Sequence, residues 1–393
     1  YLSDSDLIII FSDKQIGTTM KKHLLAPLAI AIALAATGCQ TNNSVTAEVK
    51  TTQANAVQML EQENPFFKPF DTPYGMPDFA KIKKAHYLPA FKHGIAENKK
   101  EIDGIANNAE PATFANTIEA MEKSGDFLNN VANVFYGLTG SMSDDEMRSI
   151  AKQVSPMLSA LSDDISLNDK LFARVKAVYQ QKDQLGLRAD QKTLLDTTYK
   201  RFVRGGANLN EADKQTLRQL NSQLSELSLK FGENLLNETN SFEMVITDPA
   251  DLGGLPQDII DAAAVTAEER GHKGKWVFTT HRPSKNPFLT YSTKRQLREK
   301  IYKGYTMRGN NDNANNNQEI AAKMASLRYQ KAQLLGYKTH ADFVLENATA
   351  KTPENVFQLL DQVWPAALNR AKQERDDMQK MVDAEGGNFK VAA

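Results

Sequence analysis

The chain has 393 residues, 41% hydrophobic and 24% charged, which is enough for one large core or two smaller ones. Lysine and arginine total 47 against 48 aspartate and glutamate, and the net charge of −1 offers no basic excess to hold a nucleic-acid backbone. The single cysteine, Cys39, excludes an internal disulfide and a cysteine-rich metal site.

The start of the chain is typical of a targeting segment. Residues 1–19 precede the first methionine, Met20, and we interpret them as a translated upstream leader. Two lysines follow, and then an apolar run from Leu24 to Ala36 that is shorter than the roughly 20 residues needed to span a bilayer. We therefore predict a signal peptide at residues 20–38.

The residues around Cys39 resemble a bacterial lipobox. Thr37 and Gly38 are the small residues that precede the cysteine, while Ala36 stands where leucine is usual. The resemblance implies cleavage after Gly38 and lipidation of Cys39, and Gln40 points to the outer membrane of a Gram-negative bacterium. An ordinary cleaved signal with an incidental cysteine is the alternative. We expect an exported, lipid-anchored protein on the periplasmic side, because the one thiol lies where the acyl chain attaches.

Helical periodicity begins after a polar stretch, residues 39–63, that is predicted to be a flexible tether. Residues 64–285 are predicted to form an N-terminal helical domain with a small β insertion. Two groups of apolar residues recur at helical spacing, namely Phe91, Ile95, Ile102 and Ile105, and then Leu128, Val131, Phe135 and Leu138. Ser143 and Glu146 have the spacing of a capping box.

The clearest helix follows Asn210. Its apolar side chains alternate spacings of three and four, at Leu217, Leu220, Leu224, Leu227 and Phe231. Such a seam fits a coiled-coil dimer or one helix of an intramolecular antiparallel bundle. We favour the bundle, because other amphipathic helices of the chain are available as partners.

Two short runs break the helical rhythm. The first, Phe242 to Thr247, ends at Asp248-Pro249, and the second, Trp276 to Thr280, ends before Pro283. The residues between them, 258–269, have a helical pattern. A small sheet inserted in a helical protein is therefore predicted.

Helices resume at Thr293, and residues 286–393 are predicted to begin a second domain. Arg295, Arg298, Lys300 and Lys303 could form a phosphate or nucleic-acid patch, but Leu297, Ile301 and Tyr305 lie opposite them and favour a solvated face of an amphipathic helix. The asparagine-rich stretch 310–317 is predicted to be a polar turn that caps the next helix, and its single carboxylate, Asp312, is too few for a calcium loop. "LRYQKAQLLGYKTHADF", residues 327–343, has the pattern of helix, tight turn and helix.

The histidines do not have the spacing of a zinc site. A catalytic zinc needs three protein ligands, yet no His-Glu-x-x-His occurs among the six histidines. We expect surface or packing roles for each, namely His23, His86, His93, His272, His281 and His340. There is no glycine-rich phosphate loop and no Gly-x-Ser-x-Gly elbow. The sequence therefore predicts no catalytic and no metal-ligating residue, and lipidation of Cys39 is its one predicted site.

Several segments in order resemble the thimet oligopeptidase family of zinc metallopeptidases, peptidase family M3, and most of all its bacterial peptidyl-dipeptidase branch. They are "NPFF" with "IKKAHYLPAFKHGI" at 82–95, "PATFANTIEAMEKSG" at 111–125, "YKRFVRGGANL" at 199–209, "DLGGLP" at 251–256, "RQLREKIYKGYTMRG" at 295–309, and residues 327–343. The resemblance implies a mainly α fold, an elongated multi-helix bundle with a small inserted sheet, in which two domains flank a deep channel that admits short unstructured peptides.

The resemblance also implies zinc-dependent hydrolysis of short peptides, by release of C-terminal dipeptides or by internal cleavage. The family holds Zn²⁺ with a His-Glu-x-x-His helix and a later glutamate, and the motif glutamate activates the zinc-bound water. None of these positions is found here. We therefore expect the non-catalytic N-terminal portion of such an enzyme, with the second domain cut short, no bound Zn²⁺ and no activity of its own.

The competing interpretation is a helical lipoprotein that ends at Ala393 and binds peptides without cutting them. A stop codon directly after Ala393 would favour the binding protein, and an open frame with His-Glu-x-x-His would favour the enzyme. A truncated second domain would also leave apolar surface exposed.

Overall fold

The structure is a computed structural model that describes residues 64–392. The predicted leader, signal peptide, tether and lipidation site at Cys39 lie outside the described residues. The described chain is mainly α-helical, as the sequence predicts, with one two-stranded sheet among the described residues. None of the described helices is both long enough and apolar enough to cross a membrane.

The helices, in chain order, are α1 (Tyr87–Ala106), α2 (Asp126–Thr139), α3 (Asp145–Ser166), α4 (Asp169–Gln180), α5 (Ala189–Arg204), α6 (Glu211–Ser241), α7 (Gln257–Glu269), α8 (Arg282–Tyr291), α9 (Arg295–Thr306), α10 (Gln318–Leu334), α11 (His340–Leu345) and α12 (Pro353–Ala384). The strands are β1 (Met244–Ile246) and β2 (Trp276–Phe278). A π-helical segment, Phe114–Glu119, continues into a short turn, Ala120–Glu122.

The described residues divide into two compact units. One comprises residues 64–105 and 119–154, and the other comprises residues 106–118 and 155–392. The predicted boundary at 285/286 stays a prediction, although residues on both sides of it share one core cluster.

The first unit is built around aromatic side chains of α1 and α2. The ring of Phe135 lies 5.1 Å from Tyr87 and 5.3 Å from Phe91, both in edge-on contact, and all three are buried. The predicted capping box is wrong by one residue. The backbone N–H of Met147 donates to the Asp144 carboxylate at 3.0 Å, and α3 therefore begins after Asp144 and not after Ser143.

The centre of the second unit is the pair of α6 and α10. Asn210 caps α6 by accepting a hydrogen bond from the N–H of Asp213, and the helix runs on to Ser241 as the leucine spacing predicts. Leu220 and Leu224 pack against Leu327 of α10. The partner of the leucine seam is therefore a helix of the same chain, which confirms the bundle interpretation.

The predicted sheet is present between α6 and α8. Strands β1 and β2 pair antiparallel, with Met244 opposite Phe278, and their buried side chains join a core cluster with Phe288 and Ile301. Gly254 of the "DLGGLP" segment has φ +85° and lies so close to the carbonyl oxygen of Tyr291 that a Cβ would collide with it. Only glycine fits at this close approach.

Helix α8 was not predicted from the sequence. The pattern ends the second β run before Pro283, but Pro283 occupies the first turn of α8, where a missing N–H costs nothing. The pattern at 327–343 is confirmed. Helix α10 ends at Leu334, Gly336 forms the turn with φ +85°, and Thr339 caps α11.

The long helix α12 is exposed along its length. It has no buried residue, although Phe357, Leu360 and Trp364 lie on it and are each at least half exposed. Exposed apolar surface was expected for the second predicted domain, and α12 carries it.

Candidate functional site

Three histidines of the described residues, His86, His93 and His340, lie in separate surroundings. His86 is buried, and its Nδ1 accepts a hydrogen bond from the N–H of Lys83, while burial lowers the pKa of the ring. His93 is more than half exposed and lies 3.7 Å from Glu97. His340 begins α11, as expected. Within residues 64–392 no group of three His, Cys, Asp or Glu side chains is placed to hold a metal ion, so these residues do not fit a zinc site.

A polar cluster that includes two histidines surrounds the end of α6. Glu243 joins two residues that follow α7: its Oε2 lies 2.9 Å from Nε2 of His272, and its Oε1 accepts from Nη1 of Arg270, also at 2.9 Å. Arg270 also donates to the carbonyl oxygen of Asn240. These hydrogen bonds with His272 and Arg270 hold the pKa of Glu243 below its ordinary value.

His281 extends this cluster toward α9. Its Nδ1 lies 3.0 Å from the hydroxyl of Thr279. Burial lowers the pKa of His281, and the charges of Arg270 and Arg308 lower it further. His272 precedes β2 and His281 follows it, so both histidines lie outside the strand.

Glu238, in the last turn of α6, is a second carboxylate of this region, and it is buried. It accepts hydrogen bonds from the N–H of Gly309 and from the side-chain amides of Asn311 and Asn313. Burial raises the pKa of Glu238, but these hydrogen bonds outweigh burial and hold the pKa below its ordinary value. Gly309 has φ +72°, which favours glycine at the point where the loop turns toward α6.

Side-chain hydrogen bonds also attach the asparagine-rich loop to the preceding turns of α6. The amide of Asn234 donates to Asn317, and Asn317 donates to the carbonyl oxygen of Phe231, at 2.9 and 3.0 Å. The predicted polar turn is present, but Asn317 does not cap α10 with its side chain; Asn316 accepts from the N–H of Gln318 instead. The loop therefore uses its side chains mainly to bind α6.

We call the residues Glu238, Glu243, Arg270, His272, His281 and Arg308 the α6-end network. Arg308 donates to the hydroxyl of Thr239 at 2.7 Å, and its guanidinium lies 4.1 Å from the centre of the Tyr305 ring. The network fixes the ends of α6, α7 and α9 beside the two-stranded sheet. Its chemistry is that of a rigid, partly buried support, in which each carboxylate is held ionised by hydrogen-bond donors.

No sequence pattern indicated that Glu238 and Arg308 belong to one network. Tertiary packing brings Arg308 to Thr239, the neighbour of Glu238 in α6, across 69 positions of the chain, and periodicity does not reveal such a contact. Only the run of asparagines after Arg308 marked the region as unusual.

Sequence comparisons give the relationship. Residues 288–393 match the family model for peptidase family M3. Over 326 residues the chain is 36% identical to a dipeptidyl carboxypeptidase of Escherichia coli, an alignment that covers 83% of this chain and 48% of that protein. The chain is related to peptidase family M3.

Two further relatives are similar over most of the chain. A dipeptidyl carboxypeptidase of Salmonella typhimurium is 33% identical over 84% of the chain and 48% of its own length. An oligopeptidase A of the same species is 26% identical over 81% of the chain and 47% of its own length. The chain thus spans about half the length of the curated relatives it matches.

Proposed function

We propose that this chain is part of a zinc-dependent metallopeptidase of the family M3 type that acts on short unstructured peptides. The observation that carries the proposal is the 36% identity with a dipeptidyl carboxypeptidase over 326 residues. The order of relatives, with dipeptidyl carboxypeptidases at higher identity than oligopeptidase A, favours release of C-terminal dipeptides over internal cleavage.

Within this enzyme, the described residues are proposed to be a non-catalytic helical framework. The α6-end network supports this role, because its hydrogen bonds join the ends of α6, α7 and α9 beside the β1–β2 sheet. The zinc ligands are proposed to lie on polypeptide beyond this sequence. The zinc would supply an activated water for attack on the peptide carbonyl, and no residue of this chain is assigned a step in that reaction.

The enzyme is further proposed to be exported and held at the outer membrane by a lipid on Cys39. The lipobox-like sequence before Cys39 supports this proposal. Labelling cells with radioactive palmitate tests it: the wild-type chain is expected to take up label and to fractionate with membranes. Cys39→Ser is expected to lose both properties, and label that persists in this variant would contradict the proposal.

The main test combines DNA sequence with activity. An open frame beyond the Ala393 codon that encodes His-Glu-x-x-His would support the enzyme. The full 393-residue chain, purified alone, is expected to hold less than one Zn²⁺ per molecule and to hydrolyse no short peptide. One tightly bound zinc per chain would contradict the proposal that the zinc ligands lie outside this sequence. A stop codon after Ala393, together with peptide binding, would replace the enzyme with a binding lipoprotein.

A further inference from the structure

Helix α12 has one apolar side and one polar side. Six large apolar residues, which we call the α12 seam, recur on one side at spacings that fit a helix: Phe357, Leu360, Val363, Trp364, Met378 and Met381. The opposite side carries polar residues, namely Gln358, Gln362, Asn369, Asp376 and Lys380. Such a division is typical of a helix that buries one face against protein.

The structure leaves the α12 seam uncovered. Trp364 is 63% exposed and Met381 is 63% exposed, and no α12 residue is buried. Near its C-terminal end, Gln379 bonds to the carbonyl oxygen of Phe389 and to the N–H of Val391, and the guanidinium of Arg295 in α9 lies 3.6 Å from the centre of the Phe389 ring. Met378 and Met381 of the seam nevertheless stay 49% and 63% exposed. An uncovered apolar face of this length on a well-formed helix marks an interaction surface.

The shape of the apolar face indicates what kind of partner covers it. On a helical projection with 100° per residue, the seam spans roughly 120°, wider than the narrow stripe of a two-stranded coiled coil. Charged residues, Arg370 to Asp377, separate it into two apolar patches whose centres lie about 30 Å apart along the helix. A folded partner with several elements fits this face better than a second copy of α12.

The relatives contain a long stretch of polypeptide that this chain does not match, and this stretch is a candidate partner for α12. Helix α12 lies inside residues 288–393, which match the M3 family, and the alignment covers only 48% of the E. coli dipeptidyl carboxypeptidase. We propose that the α12 seam is the docking surface for the polypeptide that family M3 relatives possess beyond the stretch matched here. This inference rests on the proposed function, because that polypeptide is where the zinc ligands are placed.

Trp364 is a built-in reporter for this docking. The chain has two tryptophans, and the other, Trp276, is packed against the core of the β1–β2 sheet. In the full chain labelled with 5-fluorotryptophan, ¹⁹F NMR therefore gives one resonance for an exposed ring and one for a core-packed ring. Trp364→Phe assigns the exposed resonance by removing it.

The experiment adds the unlabelled portion of the E. coli dipeptidyl carboxypeptidase beyond the matched stretch to the labelled full chain. We expect a 1:1 complex in sedimentation, a shift of the Trp364 resonance and a smaller H₂O/D₂O isotope shift for it. Leu360→Gln/Met378→Gln is expected to weaken binding at least tenfold, whereas Gln362→Ala/Lys380→Ala on the polar side retains binding. Circular dichroism confirms that both variants keep their helices.

The other outcomes overturn the inference. They are no complex, a complex in which Trp364 is unchanged, and a dimer of the chain alone that already covers Trp364. Hydrolysis of a short peptide with added Zn²⁺ separates this inference from the proposed function. A seam-dependent complex without hydrolysis leaves docking standing and contradicts the enzyme. Hydrolysis that the seam variant leaves unchanged supports the enzyme and contradicts docking.

Discussion

Helices α6 and α12 are similar in length and in the spacing of their apolar residues, but they differ in burial. Each is about thirty residues long, begins with a side-chain cap and has apolar residues at spacings of three and four. The leucines of α6 are buried against α10, whereas no residue of α12 is buried. Periodicity therefore tells which face of a helix is apolar, and only packing tells whether a partner is present.

The comparison predicts its largest effect from matched leucine truncations. Leu220→Ala removes a side chain that is 5% exposed and is expected to cost about 2–5 kcal/mol of unfolding free energy, because it leaves a cavity beside Leu327. Leu360→Ala on α12, where the side chain is 50% exposed, is expected to change that free energy by less than about 0.5 kcal/mol. Urea unfolding followed by circular dichroism measures both, and equal losses would contradict the different environments of the two helices.

The second effect concerns the asparagine-rich loop that joins α9 to α10. Glu238→Gln is expected to cost about 1.5–3 kcal/mol, because a neutral amide cannot accept the same set of charge-assisted hydrogen bonds from Gly309, Asn311 and Asn313. Glu226→Gln, at an exposed position of α6, serves as the matched control and is expected to be nearly neutral.

The pH dependence of stability gives the same residue a second test. The pKa of Glu238 is lower in the folded chain than its unfolded value of about 4.3, so the folded state favours the ionised carboxylate. Its contribution is fully present above the unfolded pKa and is lost as the pH falls through the folded pKa. Stability of the wild-type chain relative to Glu238→Gln is therefore expected to shrink below about pH 4. A difference that grows on acidification would show that Glu238 is held protonated.

The third effect tests how α11, the short helix before α12, is held against α5. Arg204 of α5 donates to the carbonyl oxygen of Phe343 at 2.7 Å, bonds to Glu346 and lies 4.5 Å from the centre of the Phe343 ring. Arg204→Lys is expected to lose about 1–2 kcal/mol locally, because an ammonium cannot make the forked contacts. Faster hydrogen exchange at residues 337–346 would show this. Lys192→Arg, at an exposed position of the same helix, is expected to leave exchange unchanged.

Much of the helical framework was predictable because local signals and packing agree. The α6 leucines, the caps at Asn210 and Thr339 and the turn at Gly336 each follow from residue type and spacing. Helix α8 was not predicted, since Pro283 indicates a break unless it falls in the first turn of a helix, where its missing N–H is harmless. The α6-end network was missed for a different reason: its members meet only through tertiary packing.

The smallest effect compares the two helix caps. Asn210 accepts from the N–H of Asp213 at 2.9 Å, and Thr352 accepts from the N–H of Asn355 at 3.3 Å. Asn210→Ala is expected to cost about 1 kcal/mol of global stability, because α6 unfolds only together with α10. Thr352→Ala removes a similar cap from a helix without buried residues, so it is expected to fray the first turn of α12 and to leave global stability unchanged.

Hydrogen exchange and urea unfolding together separate these two responses. In Thr352→Ala, amides near residue 356 are expected to exchange faster while the unfolding midpoint stays constant. A midpoint that falls as far as in Asn210→Ala would mean that α12 is cooperative with the core. The packing partner of α12 would then already be within this chain, and the docking surface would have to be sought elsewhere.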